Sequence, residues 1–462
     1  MAHRTAARFV EDVRKGNVNL EDFYSKLFAR LRELDKKNGF FAKLAEPPKE
    51  FAPPEGKAAG LPVSVKDCIC VRGLRSAAGS KILETYVPMF NATCIEKVVE
   101  ESGVIIGKTN QDEFGFGTFS TNSGFAVPKN PHDAARSCGG SSGGSAGLVA
   151  ALDMPHVSIA ESTGGSISCP ASFCGVAGLT PTYGRVSRWG LIDYANSLDK
   201  IGTIGRTVED AAFLYSIIAG HDTKDQTSIA LKHHHDLKID EGVKGMKMGV
   251  PKEYFGEGVD KAVEDKVWNA IKKLEEHGAS VEELSLPHTD FALSAYYIIA
   301  SSEASTNLAR YCGMRYGMEG EVTGTFNEYF SAIRSKHFGD EAKRRILLGT
   351  FARMAGYRAK YYLKAMKVRT LVINDFIKAF SRFDILAAPT MPVVAPMFSE
   401  IAELSPLENY KMDVLTVAPN LAGIPMLSVP CGKAHDMPVG IHLMAGHLQE
   451  AKILRAGRVV EA

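Results

Sequence analysis

The sequence predicts an α/β sandwich folded as one body. Three observations point there: strand-like and helix-like segments alternate over most of the 462 residues, no internal repeat or low-complexity block breaks the alternation, and 45% hydrophobic with 23% charged residues is the balance of a globular chain. The polar stretch 222–243 is the single candidate boundary. Strand-like segments on both sides of it favour an insertion in one domain, 1–462, over two domains.

The elements follow in order. Phe23, Tyr24, Leu27, Phe28, Leu31 and Leu34 recur at three and four residues behind Asn19, with Asp22 three residues on, which predicts a capped amphipathic helix in an N-terminal helical segment of about 1–45. Glu46 to Lys57 has no period and reads as a loop before the apolar segment Leu61 to Val65, which ends in Lys66-Asp67. A helix over Ala92 to Ser102 and a strand at Val104 to Ile106 precede a Gly, Ser and Asn-rich tract, Asn110 to Gly147, which predicts turns. Val157 to Ala160 reads as a buried strand leading into Thr163-Gly164-Gly165-Ser166, and Thr207 to Ile218 as a helix. His233-His234-His235 reads as solvated loop rather than a metal tract. Lys247 to Val250 predicts a strand, Asp260 to His277 a helix, Glu341 to Phe380 one or two long helices, and strands at Phe383 to Ala388 and Val439 to Met444 close the chain.

Charge and cysteine usage exclude several classes. With 54 basic and 53 acidic residues the net charge is +1, too little basic excess for a chain that grips nucleic acid by itself. No leader-like opening and no apolar run of about 20 residues is present, so a soluble cytoplasmic protein without membrane contact is expected. The eight cysteines show no CxxC spacing, so no zinc site is expected. Cys138 and Cys169 lie beside the Gly/Ser-rich loops and are alternatives for a cysteine nucleophile, though neither has a histidine nearby in sequence.

Three glycine-rich patterns compete. Gly103 to Thr109 approaches GxxxxGK[ST], but the first glycine falls one residue short and Val104-Ile105-Ile106 reads as a strand, not a phosphate cradle. Gly139-Gly140-Ser141-Ser142-Gly143 fits GxSxG, yet Pro131 to Cys138 before it is a poor strand for a nucleophile elbow. The third pattern joins Lys66, the glycine-serine run 139–147 and Thr163 to Ser166. Together they supply a base, a relay and a nucleophile without histidine.

The third pattern resembles the amidase signature family, in Gly60-Leu61-Pro62-Val63-Ser64-Val65-Lys66-Asp67, in Gly139 to Gly147, and in Gly164-Gly165-Ser166-Ile167-Ser168-Cys169-Pro170-Ala171. Phe173-Cys174-Gly175 and Gly178 to Ser187 look like the family's stretch behind the nucleophile. Within the family, Asp112-Glu113-Phe114, Ala300 to Ser305, Arg344 to Thr350 and Asn420 to Pro425 are similar to the branch that serves tRNA-dependent amidotransferases. The resemblance implies a single-domain α/β/α sandwich on a central mixed sheet, with a signature core of about 60–220 and the remainder completing the same body. Two positions depart from it: where the family usually has Asp and Arg, this chain has Ser162 and Ser168.

Carried over by resemblance, Ser166 is the nucleophile, Lys66 the base and Ser141 the relay, held in a cis peptide. Ser142 stays an alternative relay because the spacing to Ser166 is one residue longer than usual. A free lysine titrates at about 10.4, so this role requires an environment that disfavours its charge. Backbone amides of Thr163, Gly164, Gly165 and Ser166 form the implied oxyanion hole. Arg345 and Asp413 are the implied partners of a glutamine's carboxylate and amino group, with Tyr296 or Tyr297 lining the pocket. The implied function is hydrolysis of glutamine to supply ammonia for converting Glu-tRNA(Gln) or Asp-tRNA(Asn). The implied partners are a tRNA-binding, kinase-type subunit that carries ATP and Mg, and a small third subunit, with no cofactor or metal in this chain. A stand-alone amidase for another small amide is the alternative.

Overall fold

In the computed structural model, residues 5–53, 55–231 and 237–462 are described, so the His233 to His235 tract lies outside the described residues. Strands β1 (Phe41–Leu44), β2 (Pro62–Lys66), β3 (Val104–Thr109), β4 (Val157–Ser162), β5 (Ala177–Thr180), β6 (Lys200–Gly205), β7 (Lys247–Pro251), β8 (Ser280–Leu284), β9 (Ile385–Pro389), β10 (Met426–Ala434) and β11 (Met437–Ala445) join in one mixed sheet. Its order is β1-β3-β2-β4-β6-β5-β10-β11-β9-β7-β8. β6 and β7, on either side of the polar 222–243 stretch, therefore belong to the same sheet.

Every residue of β2, β4, β5, β6, β9 and β11 is buried. Successive side chains of a strand point to opposite faces, so helices must cover the sheet on both sides. The Leu20–Asn38 helix shows how one of them is fixed. Asn19 accepts from the Asp22 amide, Gly39 ends the helix at φ 68°, and the face Tyr24, Leu27, Phe28, Leu31 and Leu34 packs in one cluster with Ile106, Leu148 and Val149. Lys108 shows why the phosphate-loop reading fails. It lies in β3 with its ammonium buried, donating to the carbonyls of Asp67 and Ile69 and to Ser76 Oγ.

Four elements differ from expectation. A short Ala6–Arg14 helix precedes the expected one, and Phe41 to Leu44, inside the segment read as helical, is strand β1. Gly143 to Ala151 is helical although its glycines predicted turns. There the small residues serve close packing: a Cβ on Gly144 would sit 2.5 Å from the Phe40 carbonyl oxygen. The chain ends on the helix Glu450–Glu461, not on a strand. The expectation of one or two long helices over Glu341 to Phe380 is met by two, Asp340–Arg353 and Tyr362–Phe380.

The Asp340–Arg353 helix carries Arg345, and its start is tied to the core by one carboxyl. Glu113 accepts from the amide of Gly339 and from Ser80 Oγ. Burial pushes Glu113 up from 4.5 to about 7, and the neighbouring Asp112 up from 3.8 to about 7. The folded protein therefore holds protons that the unfolded chain has lost between pH 4.5 and 7, and stability falls as pH rises through that window. Glu113→Gln should flatten the fall by up to about 3 kcal/mol while leaving stability below pH 4.5 little changed. Urea unfolding at stepped pH measures it; an unaltered slope would show that Glu113 ionises as freely in the fold as outside it.

Candidate active site

The site forms where parallel strands end together. β2 pairs with β4 in parallel, Val63 with Val157, Ser64 with Ser158 and Val65 with Ile159, so Lys66 and the segment after Glu161 leave the sheet side by side. Lys66 is fully buried. Its Nζ lies 2.7 Å from Ser141 Oγ, 2.9 Å from the Glu161 carbonyl oxygen and 2.9 Å from Glu161 Oε2. Three acceptors thus surround one amine, one of them a serine hydroxyl and one a carboxylate.

The glycine-serine run supplies that hydroxyl. The Gly140–Ser141 peptide is cis, and Ser141 and Ser142 diverge: Ser141 Oγ meets Lys66, whereas Ser142 Oγ donates to the Glu161 carbonyl at 3.1 Å. The geometry thus places Ser141, not Ser142, against the lysine. Asp112 lies beneath the turn, accepting from the amides of Ser120 and Asn122 at 2.9 Å each. Position 140 must be glycine because a Cβ there would fall 2.3 Å from the Asp112 carboxylate.

Ser166 sits four residues beyond the end of β4, buried to 6% exposure, at the entrance to the helix Ser168–Cys174. Its carbonyl accepts from the Ser142 amide at 3.2 Å, which holds the two serine loops together. Among the described residues the amides of Thr163, Gly164, Gly165 and Ser166 have no hydrogen-bond acceptor, so they are free for a developing oxyanion. Gly164 and Gly165 leave the room. A Cβ on the first would lie 2.8 Å from the Tyr296 hydroxyl and on the second 2.5 Å from Thr416 Oγ1. The cysteine alternatives are less reactive: Cys138 and Cys169 are fully buried, and burial pushes the Cys169 thiol well up.

Arg345 and Asp413, remote in sequence, border the same region. The buried Arg345 guanidinium has its carbon 5.2, 5.7, 5.0 and 5.2 Å from the ring centres of Phe116, Tyr194, Tyr297 and Tyr410. Its Nε donates to Glu341 at 2.8 Å and its Nη1 to the Tyr194 hydroxyl at 2.5 Å. Asp413 accepts from the hydroxyls of Tyr297, at 2.6 Å, and Thr118, at 3.0 Å, and burial raises it above the ordinary aspartate range. A cavity of about 670 Å³ reaches this cluster past Thr118, Glu341, Arg345 and Tyr410. Tyr297 contacts Asp413 directly, while Tyr296 stacks edge-on to Tyr297 and faces Gly164.

Sequence reading missed Glu161, Thr118, Glu341 and the buried Asp199, which lies 2.8 Å from Thr163 Oγ1. Only Glu161 carried a local signal, as an acid at the end of the otherwise apolar Val157 to Ala160 run. The others reach the site through tertiary packing, which periodicity does not register.

Known proteins bear on this geometry at three levels. Residues 41–454 match the Amidase family. The chain is 52% identical to a Glutamyl-tRNA(Gln) amidotransferase subunit of Methanococcoides burtonii, covering 87% of this chain and 84% of that one. It is 48% identical to the protein of the same name from Methanosarcina mazei, covering 100% and 93%. In three dimensions it is similar to the crystal structure of the same-named subunit from Thermotoga maritima, with a TM-score of 0.83, 38% identity and coverage of 98% and 94%. Sequence and fold thus agree over nearly the whole length, and the chain belongs to the amidase family.

Proposed function

We propose that this chain is the glutamine-hydrolysing subunit of a Glu-tRNA(Gln) amidotransferase. The observation that carries the reading is the buried contact of Lys66 Nζ with Ser141 Oγ, beside the loop that presents Ser166 and its free amides. Ser166 attacks the side-chain amide carbon of glutamine while Ser141 receives its proton and passes its own to Lys66. The amides of Gly164, Gly165 and Ser166 meet the oxyanion. Lys66 returns that proton through Ser141 to the leaving nitrogen, so that collapse releases ammonia and leaves a glutamyl ester on Ser166, which water hydrolyses to glutamate.

The cluster at Arg345 and Asp413 selects a zwitterion. Arg345 stays cationic among its four rings and offers Nη2 beyond its bonds to Glu341 and Tyr194. Asp413, with hydroxyl donors fixing its two oxygens, keeps acceptor lone pairs for an ammonium. The relatives' shared name, that of one subunit of an amidotransferase, supports assembly with further subunits. In this reading the chain works in the cytoplasm with a tRNA-binding, kinase-type subunit that uses ATP and Mg and with a small third subunit. Among the described residues no helix is long and apolar enough to cross a membrane.

Ser166→Ala should lower glutamine turnover at least about a thousand-fold with stability changed by less than about 1 kcal/mol. Lys66→Met should be nearly as severe, with circular dichroism to verify the fold, since it strips Glu161 of its buried hydrogen-bond partner. Residual turnover of a few per cent in either would remove that residue from the chemistry. Asp413→Asn should reduce kcat/KM for glutamine about 30-fold or more, and far less for an amide lacking the α-amino group. Equal losses on both substrates would make Asp413 structural and favour a stand-alone amidase.

A further inference from the structure

The two charged groups of the cavity are joined by a pair of stacked tyrosines. Tyr297, on the helix Thr289–Asn307, and Tyr410, on the helix Pro406–Lys411, have ring centres 4.1 Å apart and planes at 22°. Their hydroxyls reach different charges. Tyr297 donates to Asp413 Oδ2 at 2.6 Å, whereas Tyr410 donates at 2.8 Å to Glu341 Oε1, the oxygen that also accepts from Arg345 Nε at 2.8 Å. A path of contacts thus runs from Asp413 through Tyr297, Tyr410 and Glu341 to Arg345, with ring stacking as its middle link. The backbone closes it into a loop. The Asp413 amide donates to the Tyr410 carbonyl at 3.1 Å, so both residues belong to one turn.

The helix that carries Tyr410 has little else to place it. None of its residues is buried, and Leu407 on it is 62% exposed. Among the described residues its remaining side-chain hydrogen bonds stay within 405–409. The Tyr410 side chain is therefore what holds this helix over the cavity: its face lies on Tyr297, its hydroxyl is on Glu341, and the Arg345 guanidinium carbon is 5.2 Å from its ring centre. Arg345 and Asp413 border one cavity and attract each other. Even so, among the described residues the ion pair of Arg345 is with Glu341, and none joins it to Asp413. The stacked rings keep the two groups apart, and among the described residues no hydrogen bond reaches Arg345 Nη2.

We propose that Tyr410 is a positioning residue that sets substrate choice: stacked on Tyr297 and bonded to Glu341, it fixes Arg345 and Asp413 at the separation of the carboxylate and ammonium of an α-amino acid. The proposal rests on the reading of these two groups as the glutamine-binding pair. In an α-amino acid both charged groups sit on one carbon, and moving the amine to the next carbon lengthens their separation. Two charged side chains free to turn independently would follow that change at small cost. A pair tied through stacked rings and a shared carboxylate oxygen would not, because its geometry is set before the substrate arrives. The discrimination thus comes from the spacing of the charges as well as from their signs.

Ammonia release by the assembled amidotransferase from three amides tests this: glutamine, its β-amino isomer 3-aminoglutaramate, and butanamide, which has the same carbon chain next to the amide and neither charge. Tyr410→Ala should raise KM for glutamine about tenfold or more while kcat falls less than about threefold. It should also cut the preference for glutamine over 3-aminoglutaramate by at least about tenfold. Tyr410→Phe, which keeps the ring and loses the hydroxyl, should fall between Tyr410→Ala and wild type on both measures. A tyrosine that served only to hold the fold together would lower kcat/KM for all three amides by one factor, and that result overturns the proposal. Wild-type enzyme that shows no preference for glutamine over butanamide would remove the glutamine-binding pair and this proposal with it. A wild-type preference that Tyr410→Ala leaves intact would remove the spacing role alone. Should Tyr410→Ala fail to fold, Tyr410→Phe decides, and an unchanged KM for glutamine in that variant overturns the proposal.

Discussion

A buried amine in contact with a serine hydroxyl is the constraint on which the rest of this structure depends. A lysine side chain is costly to enclose, and it persists in the core only where acceptors surround it. Here those acceptors come from two segments: the cis turn at Ser141, and Glu161 near the end of β4, which offers both its carbonyl and its side chain. The parallel pairing of β2 with β4 brings two of them to one place, and the amide of Ser142 on the Ser166 carbonyl brings the third. A sheet buried on both faces excludes the water that would otherwise solvate the amine. Fold and chemistry thus meet in one requirement, a dry seam at the ends of two parallel strands.

Glycine has a steric role around that seam. At Gly140 the space belongs to the Asp112 carboxylate, at Gly164 to Tyr296 and at Gly165 to Thr416. Each missing Cβ is replaced by a side chain that either fixes a loop or lines the substrate side. Asp112 illustrates the balance: two backbone amides favour its anion, yet burial outweighs them and raises it to about 7.

What was legible in the sequence follows from the range of each signal. The α/β class, the helix after Asn19 and strands β2, β3, β4 and β7 were readable because period and capping are local properties. The Gly143–Ala151 helix was not, since glycine's preference for turns is overruled there by packing against Phe40 and Asn110. Lys66, Ser141 and Ser166 stood out through a joint pattern with a family behind it. Arg345 depended on that resemblance entirely, because four rings from positions 116 to 410 converge on it only in the folded chain.

The two serines that depart from the family pattern gain a physical sense beside Glu161. Ser162 and Ser168, where an acid and an arginine are usual, make neutral contacts: Ser162 Oγ with the Gly164 carbonyl and Ser168 Oγ with His442 Nε2 at 3.4 Å. Replacing both at once leaves neither charge buried alone, the outcome that would cost most. The acid of this chain lies one residue earlier, as the penultimate residue of β4. Because successive strand residues point to opposite faces, a shift of one position carries the carboxylate to the other side of the strand. There it meets Lys66 at 2.9 Å and, through Thr163, Asp199. A single-residue displacement of one carboxylate is thus enough to give the same lysine and serines a different hydrogen-bonding neighbour.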